Sequence, residues 1–247
     1  MFKKRTICHN VLGFFVIALV VLFTFSIQAW GGVEDYAGTY SGLFNGTDNG
    51  TWIARVESDG ACIGIAWSNM YEAASYGSGT VNASGDGSWL ISTGAYMEGH
   101  IDGSGVFTGT WNNSYTGDYG TLTGSKNNAA KIAEYSGTYE GTFSGDDAGS
   151  WTIKAESTGY CSGTGWSGIY NENIVGEGGI NENGLFIVLT DSGSSLTGTV
   201  DESDNVEGKW HIVATGDRGL IDGAKKVSVD SGGGGGGGGC FISTLAH

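Results

Sequence analysis

The stretch Tyr36-Ala-Gly-Thr-Tyr-Ser-Gly-Leu-Phe44 returns 99 residues later as Tyr135-Ser-Gly-Thr-Tyr-Glu-Gly-Thr-Phe143. The same shift places residues 36–126 on residues 135–225 without a gap, and about 35 of the 91 aligned positions are identical. Each copy is long enough to bury a small core of its own. The sequence therefore predicts two copies of one domain, joined by a linker at residues 127–134.

Apolar and polar residues alternate along both copies with a period of two, which predicts β-strands with one buried face. In the segment 52–56, for example, Trp52, Ala54 and Val56 share the apolar face, whereas Arg55 lies on the other. About eight such segments per copy, separated by glycine-containing turns, predict an all-β fold of two tandem antiparallel meander barrels. A two-sheet sandwich is the alternative. The alternation does not assign an inward face to the strand around Trp89, and no segment shows a helical period.

Glycine recurs on the predicted inward face, where it weakens a strand unless the fold needs the space. Large aromatic residues lie beside these glycines, and we expect them to fill each interior rather than leave a ligand cavity. The aromatic residues of the first copy are Tyr40, Phe44, Trp52 and Trp111.

The N-terminus has the pattern of a secretory signal peptide. Lys3, Lys4 and Arg5 precede an uncharged apolar run at residues 11–27, and the small Ala29 marks the expected cleavage point. An uncleaved N-terminal membrane anchor is the alternative, since the run is nearly long enough to span a bilayer. The sequence thus predicts an exported protein, at the cell surface or extracellular.

The mature chain is strongly acidic. Three of the 11 Lys/Arg lie in residues 1–29, which contain no acid, so residues 30–247 have 8 Lys/Arg, 26 Asp/Glu and a net charge of −18. Such a surface repels nucleic acid and anionic lipid. We therefore expect no nucleic-acid partner, and contact with a membrane only through the N-terminal segment or the C-terminal tail.

Two repeated aromatic positions are the candidate binding residues. Trp67 and Trp166 fall on the polar side of their strands, and each is followed by a loop that contains Tyr71 or Tyr170. Exposed aromatic side chains are frequent at binding surfaces. The other repeated tryptophans alternate with charged residues and are predicted to be core.

The remaining reactive residues indicate neither catalysis nor a cofactor. Cys62 and Cys161 occupy equivalent inward positions and are predicted to be buried free thiols, with a disulfide between the copies as the alternative. Repeated acids such as Asp48 and Asp147 fall in turns, where Asp bonds its own backbone; calcium in these loops is a second possibility. No histidine recurs between the copies, so we predict no enzyme, cofactor or transition-metal site.

The C-terminus consists of a flexible glycine-rich tether at residues 226–239 and the tail 240–247, which begins Cys240-Phe-Ile. A glycine run followed by Cys-Phe-Ile resembles the CFI-box C-terminal domain of bacterial exported proteins. This resemblance implies a sorting or surface-attachment signal with Cys240 at its centre. The later aromatic and basic segments of that family are missing here.

The repeats themselves look like small meander barrels of the lipocalin and avidin type. Gly50-Thr-Trp52 and Gly149-Ser-Trp151 are similar to the Gly-x-Trp of those barrels, and Gly38-Thr-Tyr40 fits their first strand. The resemblance implies the barrel shape and no particular ligand.

Together these features predict an exported, surface-displayed, non-enzymatic β-repeat protein used for adhesion, envelope structure or partner binding. The alternative is a small-ligand carrier or glycan-binding barrel module. The expected partner is accordingly a protein, a glycan or a small ligand at the cell surface.

Overall fold

The computed structural model describes residues 31–227. The predicted signal peptide with Ala29, and the tail with Cys240, lie outside these residues. Within them, no helix has the length and apolar character required to cross a membrane.

The first copy contains a 3-10 helix at Val33–Tyr36 and eight strands. The strands are β1 (Gly38–Gly46), β2 (Gly50–Val56), β3 (Ala61–Ser68), β4 (Ala73–Val81), β5 (Asp86–Ile91), β6 (Ala95–Ile101), β7 (Val106–Asn113) and β8 (Asp118–Lys126).

The second copy follows the helix α1 (Ala129–Glu134) and also contains eight strands. They are β9 (Gly137–Gly145), β10 (Gly149–Ala155), β11 (Tyr160–Ser167), β12 (Glu172–Ile180), β13 (Leu185–Thr190), β14 (Ser194–Val200), β15 (Asn205–Ile212) and β16 (Arg218–Lys225).

Each set of eight strands forms a closed antiparallel barrel in which sequential strands are neighbours. Closure is made by β1 with β8, where Gly42 lies opposite Gly124, and by β9 with β16, where Gly141 lies opposite Gly223. The predicted tandem barrels are confirmed, and closure excludes the sandwich. Closure also requires the glycines, because a Cβ at Gly42 would overlap the Thr123 carbonyl oxygen of the neighbouring strand.

One end of each barrel is closed by a short helix. Tyr36 packs against the core of the first barrel, and Tyr135 packs against the core of the second. The hydroxyl of Tyr40 donates to the Tyr36 carbonyl at 2.8 Å, and Tyr139 repeats this bond to Tyr135 at 2.9 Å. The six-residue α1 lies in the predicted linker and was not predicted, because fewer than two turns cannot show a helical period.

The repeated tryptophans Trp52, Trp111, Trp151 and Trp210 are all buried, which confirms that they are core residues. Their indole nitrogens donate to backbone carbonyls of the first strand of their own barrel, at 3.0 Å for Trp151 and for Trp210. Each ring therefore fills the interior while its polar atom remains satisfied.

The outer faces of the two barrels pack on each other through an apolar cluster. It joins Ile53, Ile65, Trp67 and Ala74 of the first barrel to Ile187 and Leu189 of the second. Ile187 is 0% exposed. The β13 strand is thus buried on both faces, which explains why the apolar run at residues 185–189, the counterpart of the strand around Trp89, shows no single inward face.

Polar contacts surround this cluster. The Ala74 amide donates to Ser195 Oγ at 2.9 Å, and the Tyr76 hydroxyl donates to the Glu177 carbonyl at 2.7 Å. The contact uses β2–β4 of the first barrel but β12–β15 of the second, so non-equivalent faces of the two copies meet.

Candidate functional site

The second barrel contains a cavity of about 290 Å³ that opens at the end opposite α1. Its walls are made by inward side chains of successive strands. They are Trp151, Ile153, Ile174, Val188, Leu196 and Trp210. The cavity falls at the lower end of the size range of small-molecule sites, and its walls are predominantly apolar, as such sites usually are.

Polar groups are concentrated at the rim of this cavity. The Tyr170 hydroxyl donates to the Asp217 carboxylate at 3.1 Å, and this hydrogen bond raises the pKa of Tyr170. Across the opening, the Thr190 hydroxyl accepts from the Ser194 amide at 2.9 Å and lies 2.9 Å from Ser192 Oγ. A ligand in the cavity would therefore meet apolar walls inside and hydroxyl groups at the entrance.

The rim is built on a buried carboxylate in the β9–β10 turn. Asp147 is 6% exposed and accepts from Ser167 Oγ at 2.6 Å and from the Ile169 amide at 3.0 Å. These bonds tie the β9–β10 turn to the β11–β12 loop that carries Tyr170. The turn interpretation of Asp147 is thereby supported. In residues 31–227, no three His, Cys, Asp or Glu side chains are grouped in a way that could hold a metal ion.

The equivalent space in the first barrel is almost full, at about 50 Å³. The Trp89 ring packs edge-on against Phe107 at 5.3 Å, and Trp52 packs on the same ring at 5.4 Å. In the second copy the residues equivalent to Trp89 and Phe107 are Val188 and Val206. The prediction of a filled interior is therefore correct for the first barrel and wrong for the second, where Val188 stands at the cavity wall in place of the Trp89 ring.

The structure separates the four predicted binding residues. Trp67 is 3% exposed beneath the second barrel, whereas its counterpart Trp166 is 41% exposed on the outer face of β11. Tyr170 lines the cavity. Tyr71, its counterpart, is half-exposed and does not line the small cavity of the first barrel. Of the four, Tyr170 is at the cavity, Trp166 is on a separate surface, and Trp67 has no surface to offer a ligand.

A second depression of about 500 Å³ lies between the barrels. Its floor includes Ile53, Ile65 and Tyr76 of the first barrel, and its far wall includes Thr158 and Glu177 of the second. It is a groove between packed domains, and it is more open than the interior of the second barrel.

Both inward cysteines are buried and unpaired, as predicted. Burial raises the pKa of the Cys62 thiol to about 11 and that of Cys161 to about 12. Thiols held in the protonated form are poor nucleophiles. The two residues act as core side chains at this position in each barrel.

Apart from Tyr170, sequence reasoning did not identify the cavity-lining residues. Inward positions that hold Trp89, Phe107 and Ala66 in the first copy hold Val188, Val206 and Gly165 in the second. Larger residues at other inward positions of the second copy offset this loss, since Phe186 replaces Gly87 and Ile153 replaces Ala54, so the aligned copies do not by themselves reveal the empty space.

No family model and no curated protein matches this chain. Among solved structures, it is similar to a protein of unknown function from the DUF3598 family of Nostoc punctiforme. The two chains share 8% sequence identity with a TM-score of 0.22, and the match covers 81% of this chain and 99% of the other.

Proposed function

We propose that the second barrel binds one small, largely apolar ligand and that the first barrel is its structural support. The observation that carries this proposal is the difference between the copies: about 290 Å³ of accessible space in one interior and about 50 Å³ in the other. Both interiors are built on the same strand pattern, so the space is not a general property of the fold.

The size of the cavity limits the ligand. At roughly 30 Å³ per water molecule in the liquid, 290 Å³ holds about ten water-sized groups. A chain of about ten carbon atoms, or a fused pair of aromatic rings, matches this volume. Eight-stranded barrels of the lipocalin and avidin type are wide enough to hold one small ligand. The barrel shape that the repeats share with them is therefore compatible with this proposal.

The position of the helices also favours entry from one side. α1 and Tyr135 block the end that holds Tyr139 and Cys161, whereas the loops at the other end leave the cavity open. Ligand binding by the second barrel is therefore favoured over a purely adhesive role. The proposal remains non-enzymatic, with hydroxyl groups at the entrance and apolar contacts inside.

Export is part of the same proposal, since a carrier with a signal peptide would meet its ligand outside the cytoplasm. Mass spectrometry of the protein from its native envelope tests this directly. A mature N-terminus just after Ala29 supports export with cleavage, and a modified Cys240 supports attachment through the tail. An intact residue 1 on a cytoplasmic protein would contradict both.

Gly165 allows a sharp test of the cavity. It lies on the inward face opposite Trp151, and a Cβ added there would meet only ordinary contacts, at 3.4 Å from the Ser150 carbonyl oxygen and 3.9 Å from Ile174. We expect Gly165→Phe to fill the cavity without a backbone clash, and to abolish saturable binding of 1-aminonaphthalene, a small uncharged fluorophore.

The matched control is Gly165→Ala, which installs the residue found at the equivalent position of the first barrel, Ala66. It should retain most of the fluorescence enhancement. Far-ultraviolet circular dichroism and an unfolding curve for each variant establish that the barrel is folded. If folded Gly165→Phe bound the fluorophore as well as the original protein, the cavity would not be the binding site.

A further inference from the structure

We propose that the ligand of the second barrel is uncharged or cationic at its outer end, and that a free carboxylate such as a fatty acid is disfavoured. This inference rests on the proposed function: the cavity is where the ligand binds, and the rim determines which charge is preferred at the outer end of that ligand. Within the described part of the chain, the charged side chains that line the cavity are Asp147 and Glu172, and no Lys, Arg or His lines it.

The two carboxylates differ in availability. Asp147 is buried, and both of its oxygens accept hydrogen bonds from the surrounding turn. Glu172 is exposed at the start of β12 and makes no ion pair with any residue in the described part of the chain. Glu172 is therefore the acid that a ligand head group at the rim would meet first.

The other loops at this end add charge of the same sign. Asp146 lies in the β9–β10 turn beside Asp147, Asp191 accepts from the Val175 amide at 3.0 Å, and Asp217 accepts from Tyr170. Arg218, at the start of β16, does not line the cavity, and its guanidinium lies 3.5 Å from the Glu72 carboxylate of the first barrel. This end of the second barrel thus carries five carboxylates, and among residues 31–227 no base lines the cavity.

Elementary electrostatics gives the expected size of the effect. A unit charge about 6 Å from Glu172 in a partly hydrated opening is attracted or repelled strongly enough to change the affinity by a few-fold. Reversing the sign of that charge doubles the free-energy difference and therefore squares the ratio of affinities. A ligand with a positive end should therefore bind about ten-fold more tightly than its carboxylate analogue at low salt. Salt should reduce this ratio because the rim is solvated.

The experiment compares three ten-carbon probes that differ only at the end: decylammonium, decanol and decanoate. Each displaces 1-aminonaphthalene from the full-length protein, at concentrations below micelle formation, in low salt and in about 0.5 M salt. A probe counts as a cavity ligand only where calorimetric titration shows that it binds the original protein and does not bind Gly165→Phe. We expect decylammonium to bind at least as well as decanol, decanoate to be the weakest, and the order to flatten in high salt.

Glu172→Lys should narrow or reverse the difference between decylammonium and decanoate. The matched control, Glu207→Lys, makes the same charge change on the outer face of β15, away from the opening, and should leave the order unchanged.

The outcomes separate the two proposals. If 1-aminonaphthalene does not bind saturably, the proposed function fails. If it binds and decanoate displaces it as well as decylammonium does, or if Glu207→Lys alters the order as much as Glu172→Lys, ligand binding stands and the charge preference is overturned.

Discussion

The ammonium group of Lys209 in the second barrel lies 5.2 Å from the centroid of the Trp67 ring in the first barrel, and the same ammonium is 3.0 Å from the Glu72 carboxylate. The ring face that a flat ligand would use is thus occupied by a cation of the neighbouring domain. Its counterpart Trp166 remains exposed, so the same repeated tryptophan is buried in a domain contact in one copy and faces solvent in the other.

This difference predicts unequal effects of two matched substitutions. Trp67→Ala should lower the free energy of unfolding by about 3–5 kcal/mol, because it leaves a cavity in the buried contact between the barrels. Trp166→Ala should cost below about 1.5 kcal/mol, since that ring is partly solvated. Urea unfolding of both variants measures the difference. Equal losses would show that the two barrels do not depend on the Trp67 contact.

The Glu72 ion pairs should make the contact between the barrels sensitive to acid. Hydrogen bonding and attraction by Lys209 lower the pKa of Glu72 below its usual value of 4.5, and Arg218 adds to the effect. A lowered pKa means that the ion pairs stabilise the fold above about pH 4.5 and that this contribution disappears as the pH falls through the folded pKa.

Glu72→Gln should therefore cost below about 1 kcal/mol at pH 7, because the pair is partly exposed, and less at about pH 3, because protonation of Glu72 weakens the ion pairs. Unfolding curves at both pH values test it, with Glu207→Gln as the control, because Glu207 is an exposed acid that makes no ion pair within residues 31–227. A cost that persisted unchanged at about pH 3 would mean that packing, and not charge, is responsible.

The buried thiols should resist modification. Because burial raises the pKa of Cys62 to about 11 and of Cys161 to about 12, almost no thiolate is present at pH 8 in the folded state. We expect iodoacetamide to leave both unlabelled in the native protein and to label both in urea. Mass spectrometry of the peptides containing Cys62 and Cys161 distinguishes them from the cysteines outside residues 31–227.

Two turn glycines of the second barrel with the same backbone angle should respond differently to alanine. Gly193 (φ +83°) has no atom within 4 Å of an added Cβ, whereas at Gly159 (φ +84°) the Cβ would lie 2.6 Å from the Ile180 carbonyl oxygen. Gly193→Ala should cost about 1 kcal/mol, the penalty of the left-handed region alone. Gly159→Ala should cost at least twice that. Thermal unfolding compares them, and similar losses would argue against the steric difference.

Much of the fold could be predicted from the two copies read together. Alternation placed Trp52, Trp111 and their counterparts inside, and the glycine turns predicted eight strands in each copy. The six-residue α1 could not be predicted, because its helical pattern is shorter than the period that would reveal it.

The contact between the barrels could be predicted only in part from the sequence. Ile53 and Ile65 of the first copy stand where the second copy has Thr152 and Thr164, which indicates that one outer face is covered. The identity of the covering surface, β12–β15 of the other copy, depends on shape and on long-range contacts that a local pattern does not contain.

The sequence by itself determined the duplication, the strand faces and the buried thiols, because a closed sheet imposes a local period of two on every strand. Only the tertiary structure decided that Trp67 is covered while Trp166 is exposed, and that one interior is filled while the other is open. Those outcomes depend on how side-chain volumes from eight separate strands add up in three dimensions, and on which outer face each barrel presents to its neighbour.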